Sequence, residues 1–530
     1  MNPKPDQKNV VKNALSSYVR TFVRLVLGLV TFRLLYQHLP PEAYGFWALL
    51  WAVFGYGILL DFGFGYSAQK RVAELSVKQD WPQLSRVLST IFFAYCLSAL
   101  VAVSVCLLFS SQLVDLFKVS AAHHDEYQRI LVMFLVGIGV AFPFGIFPEV
   151  LQGQQRASVW NNIFIAGTIV NFFVIVSVIY FQLSFFRLVL LSLLSFLLPY
   201  FAAAVAALKH QPEVRIRPNL FAWHTIVETS RFSLYAYANT LGNTLRNKTD
   251  QPVISMILGV AQVKPYQAGS KVGDMFDLFT RQIADVLSPA AAHLHAKGDA
   301  GELRRIMIRG MRFSILAGTP LYILCAAYMD GLIRLLTGLK EADLSHQPMF
   351  WAGELLVFWY YSLVITHSVF KNMSMMAGQE KRMMRQGVAE AGLNLLLSVG
   401  FTFWFRQRFG TEWAILGVAL GSVVPTVWFG WGVLWGWAAE ATGMGRWKLF
   451  QQVVLRNWLG CLPMLGLALA LRCQPFWVSG SNTFLVFAEG AAVGAVGAWG
   501  IWRFSLDAYE RQDYAARILK KLGRKTNSSA

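Results

Sequence analysis

Long apolar runs recur along this chain, each of about 20 residues, the length a helix needs to cross a hydrocarbon core about 30 Å thick. Their positions predict fourteen helices, near residues 14–36, 44–66, 87–112, 129–150, 157–181, 185–208, 229–257, 265–287, 310–335, 349–372, 384–405, 412–439, 455–472 and 483–504. The polar gaps between them are too short to hold a soluble domain. In lipid every backbone N–H and C=O has to be paired within the protein, which leaves helices or closed barrels, and runs this long and continuous are not barrel strands. The predicted fold class is all-α, a polytopic membrane protein. The first run does not read as a removable signal peptide, because Arg20, Arg24 and Arg33 interrupt it and no small-residue cleavage site follows.

Composition agrees, and charge adds an orientation. Of the 530 residues 55% are hydrophobic and 14% charged, with a mean hydropathy of +0.46, whereas about 25% are charged in soluble domains. The 47 Lys and Arg exceed the 29 Asp and Glu by 18, which in a soluble protein would point to nucleic acid. Here the excess sorts by connection instead. Both termini and the connections around 67–86, 151–156, 209–231, 288–312, 371–385 and 440–456 carry 31 basic residues. The alternate connections carry nine: Lys118, Arg129, Arg187, Lys264, Arg334, Lys340, Arg406, Arg408 and Arg472. Basic residues in short loops stay on the cytoplasmic side, so both termini are expected in the cytoplasm, as an even number of spans requires. Membrane lipid, not nucleic acid, is the expected partner, with Arg517, Lys520, Lys521, Arg524 and Lys525 resting on anionic headgroups. The seven basic residues that remain lie inside spans.

Residues that would carry other chemistry are sparse. Cys96, Cys106, Cys325, Cys461 and Cys473 form no CxxC pair and fall in or at the ends of apolar spans, which suits packing. His293 and His295 share a basic loop but are too few for a metal site. The Asn-x-Ser/Thr triplets at Asn247, Asn372 and Asn527 lie in a span, at a cytoplasmic boundary and in the tail, so they are chance matches. No Walker loop is present. No catalytic residue, metal or organic cofactor is predicted.

The chain repeats itself at an offset of 219 residues. Ala73, Leu75, Lys78, Asp80, Leu84 and Arg86 align with Ala292, Leu294, Lys297, Asp299, Leu303 and Arg305, six identities in fourteen gap-free columns. The same offset sets Leu15, Tyr18 and Thr21 on Leu234, Tyr237 and Thr240. Six spans separate the copies, an even number, so the halves share one orientation, related by an axis along the membrane normal. The expected organisation is a six-helix bundle over 1–208, a second over 209–440, two additional helices over 441–504 and a basic tail over 505–530. The repeat also supports residues 265–287 as a span, although hydropathy alone would not, because they align with the apolar span 44–66.

Charges inside the spans are the candidate site. Arg20 and Arg24 are one turn apart on one face of the first span, about 10–15 Å in from its cytoplasmic end at 1.5 Å per residue. In the seventh, Asn239, Asn243, Arg246 and Asp250 fall within roughly 60° of arc at 100° per residue, with Lys248 off that face and Pro252 expected to break the helix just beyond. In the eighth, Lys271, Asp274, Asp277, Arg281 and Asp285 form a stripe about 120° wide. A buried arginine costs at least a few kcal/mol on insertion scales, so these groups need partners or a ligand. The mixed stripe of the eighth span can neutralise itself. Arg20 and Arg24 have no acid in their own span, which favours an anionic ligand, and guanidinium groups bind phosphate oxygens bidentately.

Several short motifs then resemble one known family. Leu39-Pro-Pro-Glu-Ala-Tyr-Gly-Phe-Trp47, Leu59-Leu-Asp-Phe-Gly-Phe-Gly65, Arg71-Val-Ala-Glu74, Gly378-Gln-Glu-Lys-Arg382 and Gly417-Val-Ala-Leu-Gly421 resemble polysaccharide transporters of the O-antigen flippase type. These belong to the superfamily of multidrug, oligosaccharidyl-lipid and polysaccharide exporters. The resemblance runs over essentially the whole chain and rests on the order and spacing of the motifs; Pro40 departs from a position where the family often carries Gly.

The resemblance implies a bacterial inner-membrane flippase, not an enzyme, working alongside other glycan-assembly membrane proteins. It would move an undecaprenyl-diphosphate-linked oligosaccharide, such as an O-antigen unit for lipopolysaccharide, between leaflets by alternating access. Arg20, Arg24, Arg246, Lys248, Lys271 and Arg281 are then the candidates for the diphosphate or anionic sugar, with Asn239 and Asn243 as polar lining. Asp61, Asp250, Asp274 and Asp277 would balance charge or bind a coupling proton or Na⁺, with the membrane potential as a further drive. An exporter of cationic drugs and a membrane glycan polymerase or ligase stay open as alternatives.

Overall fold

The computed structural model describes residues 7–226, 237, 241–242, 244–339, 347–472, 483–507 and 510–512. Among these residues there is no strand, and helix occupies the described part of every predicted span. Among the described residues eight helical stretches are long and apolar enough to cross a membrane: Trp81–Leu108, His124–Gly153, Ala157–Tyr180, Phe185–His210, Ala300–Ala327, Pro348–Phe409, Ile415–Thr442 and Arg446–Arg472. The protein is an all-α, multi-pass membrane protein. It packs as two units, Met1–Lys264 with Thr402–Ala414, and Pro265–Phe401 with Ile415–Ala530.

In the first unit, α1 (Gln7–His38) is a single helix of 32 residues, about 48 Å at 1.5 Å per residue. Its second neighbour does not run straight. α2 (Pro41–Tyr56) tightens into a 3-10 turn at Gly57–Asp61, passes through Phe62 and Gly63, both left-handed, and resumes as α3 (Phe64–Lys78). Next come α4 (Trp81–Leu108) and the short α5 (Ser110–Leu116). α6 (His124–Ala141) is broken in the same manner, by a 3-10 turn at Phe142–Gly145 containing Pro143, before α7 (Ile146–Gly153). Proline has no N–H to continue an α-helical ladder, which accounts for that break. α8 (Ala157–Tyr180), α9 (Phe185–His210) and α10 (Asp250–Leu258) complete the unit. The seventh predicted span breaks at Thr249, three residues ahead of Pro252, which sits in the first turn of α10, where proline is tolerated.

Polar side chains pin the end of α1 against α8. Asn13 donates to the Gln155 carbonyl (2.9 Å) and accepts from the Ser158 N–H (2.9 Å), while Asn161 donates to the hydroxyls of Ser16 (2.8 Å) and Ser17 (3.0 Å). At the other end, Lys118 (2.7 Å) and Arg406 (3.1 Å) both donate to the Ile257 carbonyl, filling orphan acceptor positions at the C-terminus of α10.

Gly45, in the Leu39–Trp47 motif, lies flat against the backbone of Val260, and a Cβ there would overlap the Val260 carbonyl oxygen. Backbone cannot retreat as a side-chain tip can, so Gly45→Ala should cost about 1–3 kcal/mol, the range for an overpacked core. A lower apparent melting temperature of the purified variant checks this; an unchanged one would show that α2 shifts freely.

The second unit holds α11 (Val263–Lys297), α12 (Ala300–Ala327), α13 (Met329–Thr337) and α14 (Pro348–Leu363). α14 continues through a π-helical turn (Val364–Ser368) into α15 (Val369–Ser374). Beyond a kink at Ala377 and the left-handed Gly378 comes α16 (Glu380–Phe409), whose residues from Thr402 on count with the first unit. α17 (Ile415–Val427), a further π segment (Trp428–Leu434), α18 (Trp435–Thr442), α19 (Arg446–Phe450), another π segment (Gln451–Leu455), α20 (Arg456–Arg472) and α21 (Thr483–Gly500) follow.

The repeat is visible as local geometry. Gln79 and Gly298, 219 residues apart, are both left-handed (φ +55° and +72°). The next residues, Asp80 and Asp299, then cap the following helices, accepting from the N–H of Gln83 (3.1 Å) and Glu302 (2.9 Å). The copies differ where α2 and α3 are interrupted, because the equivalent stretch of α11 is continuous for 35 residues. Two basic residues counted among loop charges are in fact buried: Lys371 within α15 and Arg312 within α12, 6% and 8% exposed. Both also fall inside the predicted spans 310–335 and 349–372, where span and connection overlap.

Candidate functional site

The breaks in α2–α3 and α6–α7 frame a cavity in the first unit. Its volume is about 630 Å³, and its lining includes Gly57, Asp61 and Gly65 from one break and Phe142, Gly145 and Glu149 from the other. Asp61 sits where the interruption leaves orphan donors: its Oδ1 accepts from the Gly65 N–H (2.9 Å), and the Tyr95 hydroxyl donates to the same oxygen. Glu149 is close by, since a Cβ placed on Gly65 would lie 3.4 Å from Asp61 Oδ1 and 3.6 Å from Glu149 Cγ. Gln69, Gln152, Trp160 and Tyr200 complete the polar and aromatic part of the wall. Such a surface offers carboxylate and amide groups to hydroxyls and flat aromatic faces to a ring or an apolar cation.

Asp61→Ala would leave the Gly65 N–H and the Tyr95 hydroxyl without their acceptor, at about 1–3 kcal/mol for each buried group left unpaired. Asp61→Asn retains one carbonyl oxygen and should recover at least part of that loss, as read from thermal unfolding of the two variants.

The basic candidates of the first unit border this region. Arg20 is half-buried with its guanidinium 5.8 Å from the centre of the Phe164 ring, and Arg24, one turn on, is exposed. The two arginines act on each other electrostatically, and Arg24 also acts on the cavity residue Tyr200. The stem of Lys248 lies against Gly55, another lining residue, about 3.6 Å from where its Cβ would be. Tyr56, beside Gly55, reaches the Thr249 hydroxyl (3.2 Å) and feels Asp250, which is buried. Arg246 is half-buried on the helical turn just before that break. Asn239 and Asn243 lie outside the described residues, as do Cys473, Lys340 and the tail from 513 onward.

The four candidates of α11 belong to the second unit and pair along their own helix. Arg281 meets Asp277 at 3.1 Å and Lys271 lies 4.0 Å from Asp274, which also accepts from the Tyr360 hydroxyl (3.2 Å). A second cavity in this unit, about 400 Å³, is almost wholly apolar and is lined by residues such as Phe276, Leu324, Leu335, Val486 and Phe487.

Sequence reasoning had Asp61 but not Glu149, Tyr95, Gln69, Gln152, Trp160 or Tyr200. Glu149 was within reach, as an acid inside an apolar run directly after the second of two prolines, Pro143 and Pro148. It passed as the end of a span because the break at Phe142–Gly145 is invisible to hydropathy.

Comparison with known proteins agrees with the architecture. The lipid II flippase MurJ in an inward closed conformation superimposes with a TM-score of 0.62 at 12% identity, covering 92% of this chain and 99% of that one. An inward-facing multidrug resistance MATE family transporter gives 0.61 at 13% identity, covering 81% and 96%. A superfamily member from Pyrococcus furiosus, described by the reverse polarity of its binding pocket, gives 0.56 at 14%, covering 82% and 96%. At these identities the likeness is one of fold. No match is found among curated proteins. In sequence, residues 34–344 match the family described as polysaccharide biosynthesis protein. That match spans more than half of the chain, and with the transporter fold around it the protein belongs to the polysaccharide biosynthesis protein family.

Proposed function

We propose that this protein is a flippase that carries a polyprenyl-diphosphate-linked oligosaccharide from the cytoplasmic to the outer leaflet of a bacterial inner membrane by alternating access. The observation that carries this reading is the first-unit cavity, a space of about 630 Å³ with aromatic faces, amides and carboxylates suited to a sugar. Arg20 and Arg24 on α1 would take the diphosphate, with Arg246 and Lys248 as further cations of the same unit. Guanidinium suits the role, because it stays charged and matches phosphate oxygens as a fork. The apolar cavity of the second unit has the chemistry of an isoprenoid chain. Both termini would face the cytoplasm, as the distribution of Lys and Arg supports.

The test is translocation in sealed vesicles of purified protein and a synthetic polyprenyl-diphosphate oligosaccharide, followed by accessibility of the sugar to a membrane-impermeant glycosidase. Time-dependent protection or exposure that requires the protein supports the reading; equal accessibility with and without it removes the reading. One observation favours a second function: Asp61 and Glu149 beside Trp160, Tyr95 and Tyr200 would also suit a lipophilic cation. In that case expression should raise resistance to cationic dyes without affecting glycan assembly.

A further inference from the structure

Among the described residues of the second unit, a buried acid and a buried histidine line neither cavity described above and belong to none of the candidates. Glu390 on α16 is 0% exposed and His367, in the π turn Val364–Ser368, is 4% exposed; His367 Nε2 lies 3.1 Å from Glu390 Oε2. Every side of this pair is hydrogen-bonded. Gln386 donates to Glu390 Oε2 (2.6 Å), Thr426 to Oε1 (2.9 Å), and Trp359 Nε1 to Thr426 (2.8 Å). Three groups able to donate, His367 Nε2, Gln386 Nε2 and the Thr426 hydroxyl, face the carboxylate, the arrangement that suits its ionised form. Nε2 of His367 therefore carries a hydrogen.

The other ring nitrogen is ambiguous in an informative way. His367 Nδ1 lies 2.7 Å from the Thr366 hydroxyl, which is also 2.8 Å from the Ser362 carbonyl. If the hydroxyl donates to Ser362, its oxygen is left as an acceptor and Nδ1 must donate, making an imidazolium. If the hydroxyl turns to donate to Nδ1, the imidazole is neutral. The two arrangements differ by one proton and one hydroxyl rotation, with no heavy atom displaced.

We infer that His367, held by Glu390 and Thr366, is a proton-binding site that loads and releases one proton at Nδ1. The backbone around it is of a kind found at working sites. π-helical turns recur at functional positions; of the five π segments among the described residues, one carries His367 and another, Trp428–Leu434, begins two residues after Thr426. Gly430 of that latter segment lies so close that a Cβ would come 2.5 Å from Thr366 Oγ1 and 3.3 Å from His367 Cε1.

The charged surroundings are few. Lys371 is one turn on from His367 and buried; α17 and the segment after it bring no titratable group from Ile415 to Leu434. α16 brings Glu390 here, its Glu380, Lys381, Arg382 and Arg385 lying towards its start. α12, packed beside the π turn through Gly318 and Val364, carries its bases at Arg304, Arg305, Arg309 and Arg312, the last held by Glu510. α14 carries Glu354 and the hydroxyls of Tyr360 and Tyr361, the latter bonded to Thr319 and Trp458. Glu390 holds the imidazolium, so proton binding is strongest at low pH and is lost as pH rises.

The further step, that this proton drives transport, rests on the flippase reading; the site itself does not. Imidazole ¹⁵N shifts of histidine-labelled full-length protein in lipid nanodiscs test the site across pH 5–9, with the His367 signal identified by its absence in His367→Gln. Expected is a single protonation at Nδ1 with Nε2 protonated throughout, weakened about tenfold or more, one pH unit, in Glu390→Gln. Thr366→Val, which leaves the pair intact, should alter the Nδ1 signal alone. An imidazole in one protonation state over the whole range, or one that titrates at Nε2, overturns the site. In the vesicle assay an imposed pH gradient should accelerate transport by the wild type and not by Glu390→Gln. Equal acceleration of both overturns the coupling step, whereas titration without any transport by the wild type keeps the site and removes the flippase reading.

Discussion

Replacing Arg20 and Arg24 together by glutamine is expected to reduce surface glycan by more than about a hundredfold and to leave lipid-linked oligosaccharide in the cytoplasmic leaflet. A hydrogen bond to a charged group is worth about 1.5–3 kcal/mol, so two guanidinium contacts to one diphosphate amount to about 3–6 kcal/mol. With each 1.4 kcal/mol worth about tenfold in affinity, that is at least two decades. Lysine at both positions should recover only part of the loss, because it keeps the charge and gives up the fork. The pair is also inexpensive to remove for the fold. Arg24 is exposed and Arg20 rests on Phe164 through a cation–π contact, worth about 0.5–1 kcal/mol at an exposed site. Quantifying membrane-inserted protein alongside glycan separates binding from assembly. Normal display from a normally inserted double variant would remove both arginines from the site.

The positions of these arginines were legible in the sequence because charge inside an apolar run is costly and has no other signature. Span positions were legible for the same reason, as was the repeat, which returns as the matched left-handed turns and aspartate caps at Gln79–Asp80 and Gly298–Asp299. Hydropathy did not reveal where helices stop being helices within the membrane. Phe62 and Gly63 read as an ordinary stretch of a span, yet their left-handed backbone creates the pocket that holds Asp61. Glu149 was passed over because the break before it made a span interior look like a span end.

The network around Glu390 was missed for another reason. Glu390 lies seven residues into the span predicted at 384–405 and His367 six residues from the end of the one at 349–372, so each looked peripheral alone. Only the fold brings them within 3.1 Å. The α11 stripe shows the converse. Its charges looked functional by position and pair with one another at i, i+3 and i, i+4, the self-neutralised arrangement the periodicity also allowed.

Arg312 leads to the largest expected loss of stability. Its Nη1 and Nη2 meet the two oxygens of Glu510 at 2.8 and 2.9 Å, Nη2 also donates to the Ser505 carbonyl at 2.6 Å, and Asp507 stands 3.7 Å away. Asn457 donates to the backbone carbonyl of Arg312 at 2.9 Å, and Asp507 pairs in addition with Arg456. One buried guanidinium thus ties the segment after α21 to α12, next to the start of α20. Removing one member of a buried pair costs about 3–5 kcal/mol, since its partner stays behind without compensation. Glu510 and Asp507 keep some access to water, at 20% and 51% side-chain exposure, so Arg312→Leu should fall at the low end, about 3 kcal/mol. Arg312→Lys supplies the charge without the second prong and should lose less. Adding Glu510→Gln to Arg312→Leu should return part of the loss, because the stranded carboxylate is then gone. Thermal unfolding in one detergent for the four proteins reads all of this; a double variant no better than Arg312→Leu would mean the loss comes from the Ser505 contact and not from the ion pair.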